Sequence, residues 1–270
     1  MPRILQITDP HVLPIGELAY GVVDTGAALQ AAVEAVNDAL PRIGPVDLAV
    51  VTGDLTDHGT PAEYDRFLEI MAGLRVDYAA IPGNHDDREA MRAAFPTAAW
   101  MPPEGEIRWR IDLDGMTVVG LDTHVPGAPH GALSPDALNW LEHTMDDLRN
   151  RPLIVALHHP PIVTGIVQMD RQRLRDPGGL EAVLARHPGP CRIIAGHVHR
   201  FVMDTLGSTP VMIAPGTSHA VTLDLGTARA GTFDMELGGI LIHEASGTGI
   251  RSHLLPIGPF AGPFPFSGKA

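Results

Sequence analysis

The sequence predicts an α/β fold built on a mainly parallel sheet. Short apolar runs, most without polar alternation, read as strands buried on both faces. Longer segments with apolar residues at helical spacing separate them, the pattern of repeated strand–helix units. From Phe201 onward the pattern changes to short strand-like runs joined by tight turns, which predicts a second, more antiparallel sheet packed beside the first.

Arg3–Thr8 reads as the opening strand. Thr25–Leu40 is a helix, with Leu29, Val33, Val36 and Leu40 on one face. Leu48–Thr52 is the next strand. Thr60–Leu74 begins with Thr60 and Glu63 in capping-box spacing and with Pro61 at the first helical position. Asp77–Ile81 and Met116–Leu121 are strands. Ser134–Leu148 repeats the cap-then-proline start and aligns Leu138, Leu141 and Met145. Leu153–Leu157 and Cys191–Ala195 are further strands. Phe201–Leu206, Thr209–Ile213, Gly239–His243 and Ile250–Leu255 follow, turned at Gly207-Ser208 and Ser246-Gly247. Residues 1–255 read as one domain. Pro256–Ala270, rich in Pro and Gly and carrying Phe260, Phe264 and Phe266, reads as an arm, wrapped on its own domain or docked on another subunit.

Composition narrows the function. The 270 residues carry 19 Lys+Arg against 32 Asp+Glu, a formal charge of −13, which repels a phosphate backbone and excludes a dedicated nucleic-acid binder. A single Cys excludes a disulfide scaffold and a thiolate metal cluster, whereas 14 His direct attention to metal sites with N and O ligands. The N-terminus lacks signal-peptide character and no apolar run approaches the ~20 residues of a membrane span, so a cytoplasmic protein is expected.

Five segments carry the chemistry: Asp9-Pro-His11, Gly53-Asp54, Gly83-Asn84-His85-Asp86, His158-His159 and Gly196-His197-Val198-His199. Each follows a predicted strand, and strand C-termini form one rim where sites are built. In extended backbone residues i and i+2 point the same way, so Asp9/His11 and His197/His199 are each expected to present two ligands together. Gly53, Gly83 and Gly196 precede ligands where a tight turn or close approach is needed. Two carboxylates, several imidazoles and an amide exceed the needs of one ion and suit two ions about 3.5–4 Å apart sharing a carboxylate.

As an ordered set these segments resemble the calcineurin-like metallophosphoesterases, from Ile4 to about His219. Within that family the likeness is to the bacterial cyclic-nucleotide and glycerophosphodiester phosphodiesterases, and Tyr20-Gly21, Pro82-Gly83-Asn84-His85-Asp86-Asp87 and Pro215-Gly216-Thr217-Ser218-His219 resemble the glycerophosphodiesterase branch in particular. The resemblance implies a two-sheet β-sandwich flanked by helices, in four αββα layers. It implies that Asp9, His11 and His199 bind a first metal, that Asn84, His158 and His197 bind a second, and that Asp54 bridges them. His159 would be a packing or supporting neighbour. His85 would face the substrate phosphate; chemically, a protonated His85 there would be the catalytic residue, stabilising developing charge or protonating the leaving group, with Asp86 or Asp87 expected to hold its ring. Asn84, His219 and Tyr20 would contact substrate, Tyr20 from the loop near the second metal.

With O and N donors alone, Mn, Fe, Zn and Co all suit the two positions, as divalent or trivalent ions. The expected activity is hydrolysis of small organic phosphodiesters of the glycerophosphodiester type by hydroxide from the metal pair. Cyclic-nucleotide and monoester hydrolysis, and an inert interaction scaffold, are the alternatives. The loop Pro160–Gly179 holds Arg171, Arg173 and Arg175, which either neutralise phosphate or form a solvated face or subunit contact; His124 and His130 lie on a further loop near the site. The Phe-rich arm predicts a homo-oligomer, a dimer or larger, with a small phosphodiester as the other partner and neither long nucleic acid nor membrane.

Overall fold

The computed structural model describes residues 1–226, 231–246, 249–262 and 264–266. In chain order its elements are β1 (Arg3–Ile7), α1 (Thr25–Ile43), β2 (Leu48–Thr52), α2 (Pro61–Met71), β3 (Tyr78–Ile81), α3 (Arg88–Ala94), β4 (Trp109–Leu113), β5 (Met116–Gly120), α4 (Pro135–Met145), β6 (Leu153–Ala156), α5 (Val167–Asp170), α6 (Gly178–Leu184), β7 (Cys191–Ala195), β8 (Val202–Leu206), β9 (Thr209–Ile213), β10 (Ala220–Val221), β11 (Phe233–Asp234), β12 (Gly239–Ser246) and β13 (Gly249–Pro256).

Strand periodicity builds the layers. On β6, Leu153 and Val155 pack with Leu141 of α4 and Leu180 of α6, whereas Ile154 and Ala156 face the other way, into the core shared with β1, β2 and β3. On β9, Val211 and Ile213 face the helices while Met212 meets Leu241 of β12. Helices α1, α2 and α3 cover the opposite outer face, giving four layers. The capping box at Thr60 and Glu63 starts α2, and Ser134 caps α4 by accepting from the Ala137 N–H.

The late strands do not form a separate antiparallel sheet, which corrects the expectation from the sequence. β12 and β13 join β1, β2 and β3 in a five-stranded sheet of order β13-β12-β1-β2-β3, while β8 and β9 complete a six-stranded sheet of order β4-β5-β6-β7-β9-β8. Both sheets are mixed. β1 to β3 and β5, β6, β7 and β9 run parallel; β12, β13, β4 and β8 add antiparallel edges. The short pair β10/β11 stands apart. The turn expected at Gly247 and the arm positions 263 and 267–270 lie outside the described residues. Within the arm, Phe260, Phe264 and Phe266 are exposed, so they do not pack on their own domain.

Candidate metal centre

The loops after β1, β2, β3, β6 and β7 meet on one rim. They are laced by backbone hydrogen bonds: Asp9 N–H to Gly53 O at 3.2 Å, His11 N–H to Asp54 O at 2.9 Å, and Gly196 N–H to His158 O at 3.0 Å. Asp9, His11, Asp54, His197 and His199 all have positive φ, between 44° and 72°. A left-handed non-glycine residue costs about 1–3 kcal/mol, and Asp and His tolerate it better than most. The i, i+2 pairs therefore do not converge by lying in extended strands. The left-handed turns aim each side chain separately, and His197 and His199 part company: His199 joins Asp9, His11 and Asp54, whereas His197 joins His158 and His159.

Space matters as much as turning. Of the three glycines before ligands, Gly53 has a positive φ, 96°. Gly83 and Gly196 answer to contact instead. A Cβ on Gly83 would lie 2.1 Å from Asp54 Oδ1, and one on Gly196 would lie 2.1 Å from Thr8 Oγ1 and 2.7 Å from Asp9 Oδ2.

Asp54 stands between two donor sets. Its Oδ2 is 3.4 Å from His11 Nε2 and 3.2 Å from His158 Nε2. On one side His11 Nε2 and His199 Nε2 are 3.1 Å apart, and His199 Nε2 is 3.4 Å from Asp9 Oδ1. On the other, His158 Nε2 is 3.2 Å from Asn84 Oδ1. The outer nitrogens are committed elsewhere: His11 Nδ1–H donates to Asp57 Oδ1 at 2.9 Å, and His158 Nδ1–H donates to Thr52 O at 2.8 Å. Each Nε2 is thus the ring atom left to face the carboxylate and amide oxygens. Buried carboxylates facing these nitrogens demand positive charge, which protons or cations supply, so this donor set fits two metal ions.

The electrostatics agree. Burial works to raise the Asp54 carboxyl, but the charges of His158, His85 and His11 outweigh it and hold it well below the usual carboxylate value. Burial likewise opposes ionisation of Asp9, yet His199 and His158 bring it down to about 2. Burial disfavours a charged His158, but Asp54 and Asp9 pull it up to about 9. His197 goes the other way, pushed to about 3 by burial and by His158. The carboxylates are ionised, and their demand for positive charge falls on the junction of Asp54 and His158.

His85 is aimed from the same loops. Its N–H donates to Asp54 Oδ1 at 2.8 Å and its Nδ1–H donates to Asp57 O at 2.8 Å, leaving Nε2 as the free nitrogen of a ring that lines the cavity. The ring is thus held by the main chain of Asp57 and not by Asp86 or Asp87. Asp86 is spent on Leu55 N–H, Thr56 N–H, Gly83 N–H and the Tyr64 hydroxyl, and Asp87 caps α3.

The cavity over the site, about 340 Å³, is lined by six of the expected site residues besides His85 and Asp54, namely His11, Tyr20, Asn84, His197, His199 and His219. Asp9 and His158 lie beneath it, fully buried. Tyr20, His219 and Phe233 form an aromatic wall, with ring centroids 4.9–5.5 Å apart. Tyr20 meets the cluster through His219, whose ring lies 4.6 Å from that of His199, so Tyr20 stands on the Asp9/His11/His199 side and not beside His158. Arg171, Arg173 and Arg175 are not among the described lining residues; their loop contributes Gln168, Met169 and Gln172. His124 and His130 are also absent from the described lining, and the His124 loop is tied down by the Arg88–Asp122 ion pair.

Sequence reasoning missed Asp57, although its place three residues after Asp54 on the same loop was visible. His159, expected as a packing or supporting neighbour, has a ring nitrogen close to those of His158 and His197. His159 is fully buried, its Nδ1 is 2.8 Å from Thr123 Oγ1, and its Nε2 has no hydrogen-bond partner among the described residues.

Residues 2–201 match the calcineurin-like phosphoesterase family. The chain is 33% identical over 265 residues to a probable glycerophosphodiester phosphodiesterase GpdQ of Arcobacter nitrofigilis, covering 97% of this chain and 96% of that one. It is 35% identical over 244 residues to the 3′,5′-cyclic adenosine monophosphate phosphodiesterase CpdA of Escherichia coli K12, covering 87% and 85%. In fold it is similar to a dimetal phosphatase from Danio rerio, with a TM-score of 0.62 at 15% identity over 95% of this chain and 99% of that one. From the matched span and these identities, the chain belongs to the calcineurin-like phosphoesterase family.

Proposed function

We propose that this chain is a dinuclear-metal phosphodiesterase acting on small organic phosphodiesters of the glycerophosphodiester type. The observation that carries the reading is Asp54 Oδ2, set between His11 Nε2 and His158 Nε2 and flanked by a histidine that faces the cavity. Asp9, His11 and His199 would hold one ion, Asn84, His158 and His197 the other, with Asp54 shared. Mn, Fe, Zn and Co suit such ligands. When bound, the pair of ions supplies a water acidic enough to ionise near neutral pH and a positive seat for phosphoryl oxygens.

The chain supplies the rest. With two divalent ions held there, their charge would outweigh that of Asp9 and Asp54, so the rim would attract an anionic diester although the chain carries −13. His85, fixed through Nδ1–H to Asp57 O, presents Nε2 to the leaving oxygen. The Asp54 charge favours its protonated form against burial, the state needed to give up a proton. His219 and Tyr20 close the opposite wall and orient the alcohol portion of the substrate.

A second reading, hydrolysis of 3′,5′-cyclic nucleotides, is favoured by the likeness to the Escherichia coli enzyme. Hydrolysis of bis-(p-nitrophenyl) phosphate with added Mn separates an enzyme from an inert scaffold. A panel of glycerophosphoethanolamine, cyclic AMP and a phosphomonoester then separates the substrates: highest kcat/KM on the first supports the primary reading, and on cyclic AMP the second. Around this core we propose one domain over residues 1–255 with an arm over 256–270. The exposed Phe260, Phe264 and Phe266 support docking of that arm on another copy in a homo-oligomer. Among the described residues no helix is long and apolar enough to cross a membrane, and we place the protein in the cytoplasm.

A further inference from the structure

Each ligand set draws on both sheets. Asp9, His11, Asp54 and Asn84 follow β1, β2 and β3, whereas His158, His197 and His199 follow β6 and β7. Apolar packing between the sheets is non-directional. Polar side chains cross the gap with direction, and one of them does so at the roots of the ligand loops. Gln6, fully buried within β1, donates through Nε2 to Ala195 O at 2.8 Å and to Thr52 Oγ1 at 3.1 Å. Ala195 immediately precedes Gly196-His197, and Thr52 immediately precedes Gly53-Asp54. The carbonyl of Thr52 also receives His158 Nδ1–H at 2.8 Å. A single amide therefore ties the roots of three ligand-bearing loops.

Its orientation is determined. Ala195 O only accepts, so the amide nitrogen faces it and Oε1 faces His243 Nε2 at 3.2 Å. His243 Nε2 must then carry the proton, and its Nδ1 accepts from the Ser252 hydroxyl at 2.7 Å. Ser252 Oγ in turn accepts from Arg192 Nη1. The chain of bonds closes on itself across both sheets: Arg192 on β7, Ser252 on β13, His243 on β12, Gln6 on β1, and back to Ala195 on β7. Burial, aided by the Arg192 charge, keeps His243 neutral, its pKa pushed down to about 3. Apolar residues of matching shape would fill this space at little cost in stability. What the hydrogen bonds add is a fixed offset between the sheets.

We propose that Gln6, held by His243, is a positioning residue for the metal centre: it sets the β1 and β2 ligand loops against the β7 loop, and with that the affinity for the second ion. The proposal rests on the dinuclear reading above. The test is a calorimetric Mn titration of the chelator-stripped full chain and an electron paramagnetic resonance spectrum of the Mn-loaded protein. The variants are Gln6→Met, His243→Leu and His243→Gln. Gln6→Met and His243→Leu should weaken the second ion about tenfold and change the exchange-coupled Mn spectrum, as loss of supporting partners does elsewhere. His243→Gln, whose amide can still donate to Gln6 Oε1, should stay within about twofold of the parent. Should Gln6→Met not fold, the contrast between the two His243 variants decides alone. Unchanged second-ion affinity with an unchanged spectrum overturns the proposal, as does an equal loss in His243→Gln and His243→Leu. Failure of the dinuclear reading shows separately, as fewer than two ions in the unmutated chain.

Discussion

Asp57 offers a graded perturbation of one donor set that keeps the main-chain bond holding His85. Its carboxylate receives His11 Nδ1–H at 2.9 Å, whereas His85 is held by its main-chain carbonyl at 2.8 Å, which no side-chain substitution removes. Burial works to raise the Asp57 carboxyl, but the bond to His11 and the charges of His11, His85 and His58 keep it below the usual value, so it is ionised at neutral pH. A bond to a charged acceptor contributes about 1.5–3 kcal/mol and a neutral one about 0.5–1.5, so Asp57→Asn should lose about 1 kcal/mol, roughly fivefold in affinity for the ion at His11. Asp57→Ala frees the ring as well and should lose about 10–100-fold. Calorimetric Mn titration reads the affinities, and rates on aryl and alkyl diesters at saturating Mn read His85. Affinity should fall in the order parent, Asn, Ala, while the preference for aryl over alkyl diesters changes far less than in His85→Ala. Equal Mn affinity in all three proteins would refute the reasoning, because Asp57 would then not orient His11.

Three further outcomes are expected. His85→Ala should cost about 10²–10⁴ in turnover on alkyl diesters and far less on bis-(p-nitrophenyl) phosphate; equal losses on both would remove His85 as the leaving-group acid. Metal-free protein should lose stability as pH falls below about 6.5, because the unfolded His243 takes a proton that the folded one, with a pKa of about 3, refuses. That single group gives a slope of up to about 1.4 kcal/mol per pH unit, so urea midpoints should fall less with acid in His243→Leu than in the parent. Gly196→Ala puts a Cβ 2.1 Å from Thr8 Oγ1 and 2.7 Å from Asp9 Oδ2, and should destabilise by about 1–3 kcal/mol and weaken ion binding, read by urea melts and Mn titration.

The central strands were legible because both faces are apolar, and helices α2 and α4 because Thr60 and Ser134 cap them and prolines follow, whereas the short helices α3, α5 and α6 were not read. The rim was legible because five ligand-type segments each follow a strand. Sheet membership of the late strands was not, since periodicity reports which residues are buried and says nothing of a pairing partner: β12 pairs with β1, with Ile4 opposite His243. Strand β4, Trp109–Leu113, hid behind its charges because it is a half-exposed sheet edge. The left-handed backbone of Asp9 and His199 leaves no trace in residue order, which is why a strand-spacing argument reached the right residues for the wrong geometric reason. Gln6 did leave a signal, a lone amide inside the run Ile4-Leu5-Gln6-Ile7, and only the structure shows what it bonds to.

The most direct test of the account is metal content against activity: chelator-stripped protein titrated with Mn, ions per chain measured by elemental analysis and bis-(p-nitrophenyl) phosphate hydrolysis followed at each step. With Asp54 shared between two donor sets, two ions per chain should bind and activity should rise mainly with the second. Full activity with one ion per chain, or with none, would contradict it.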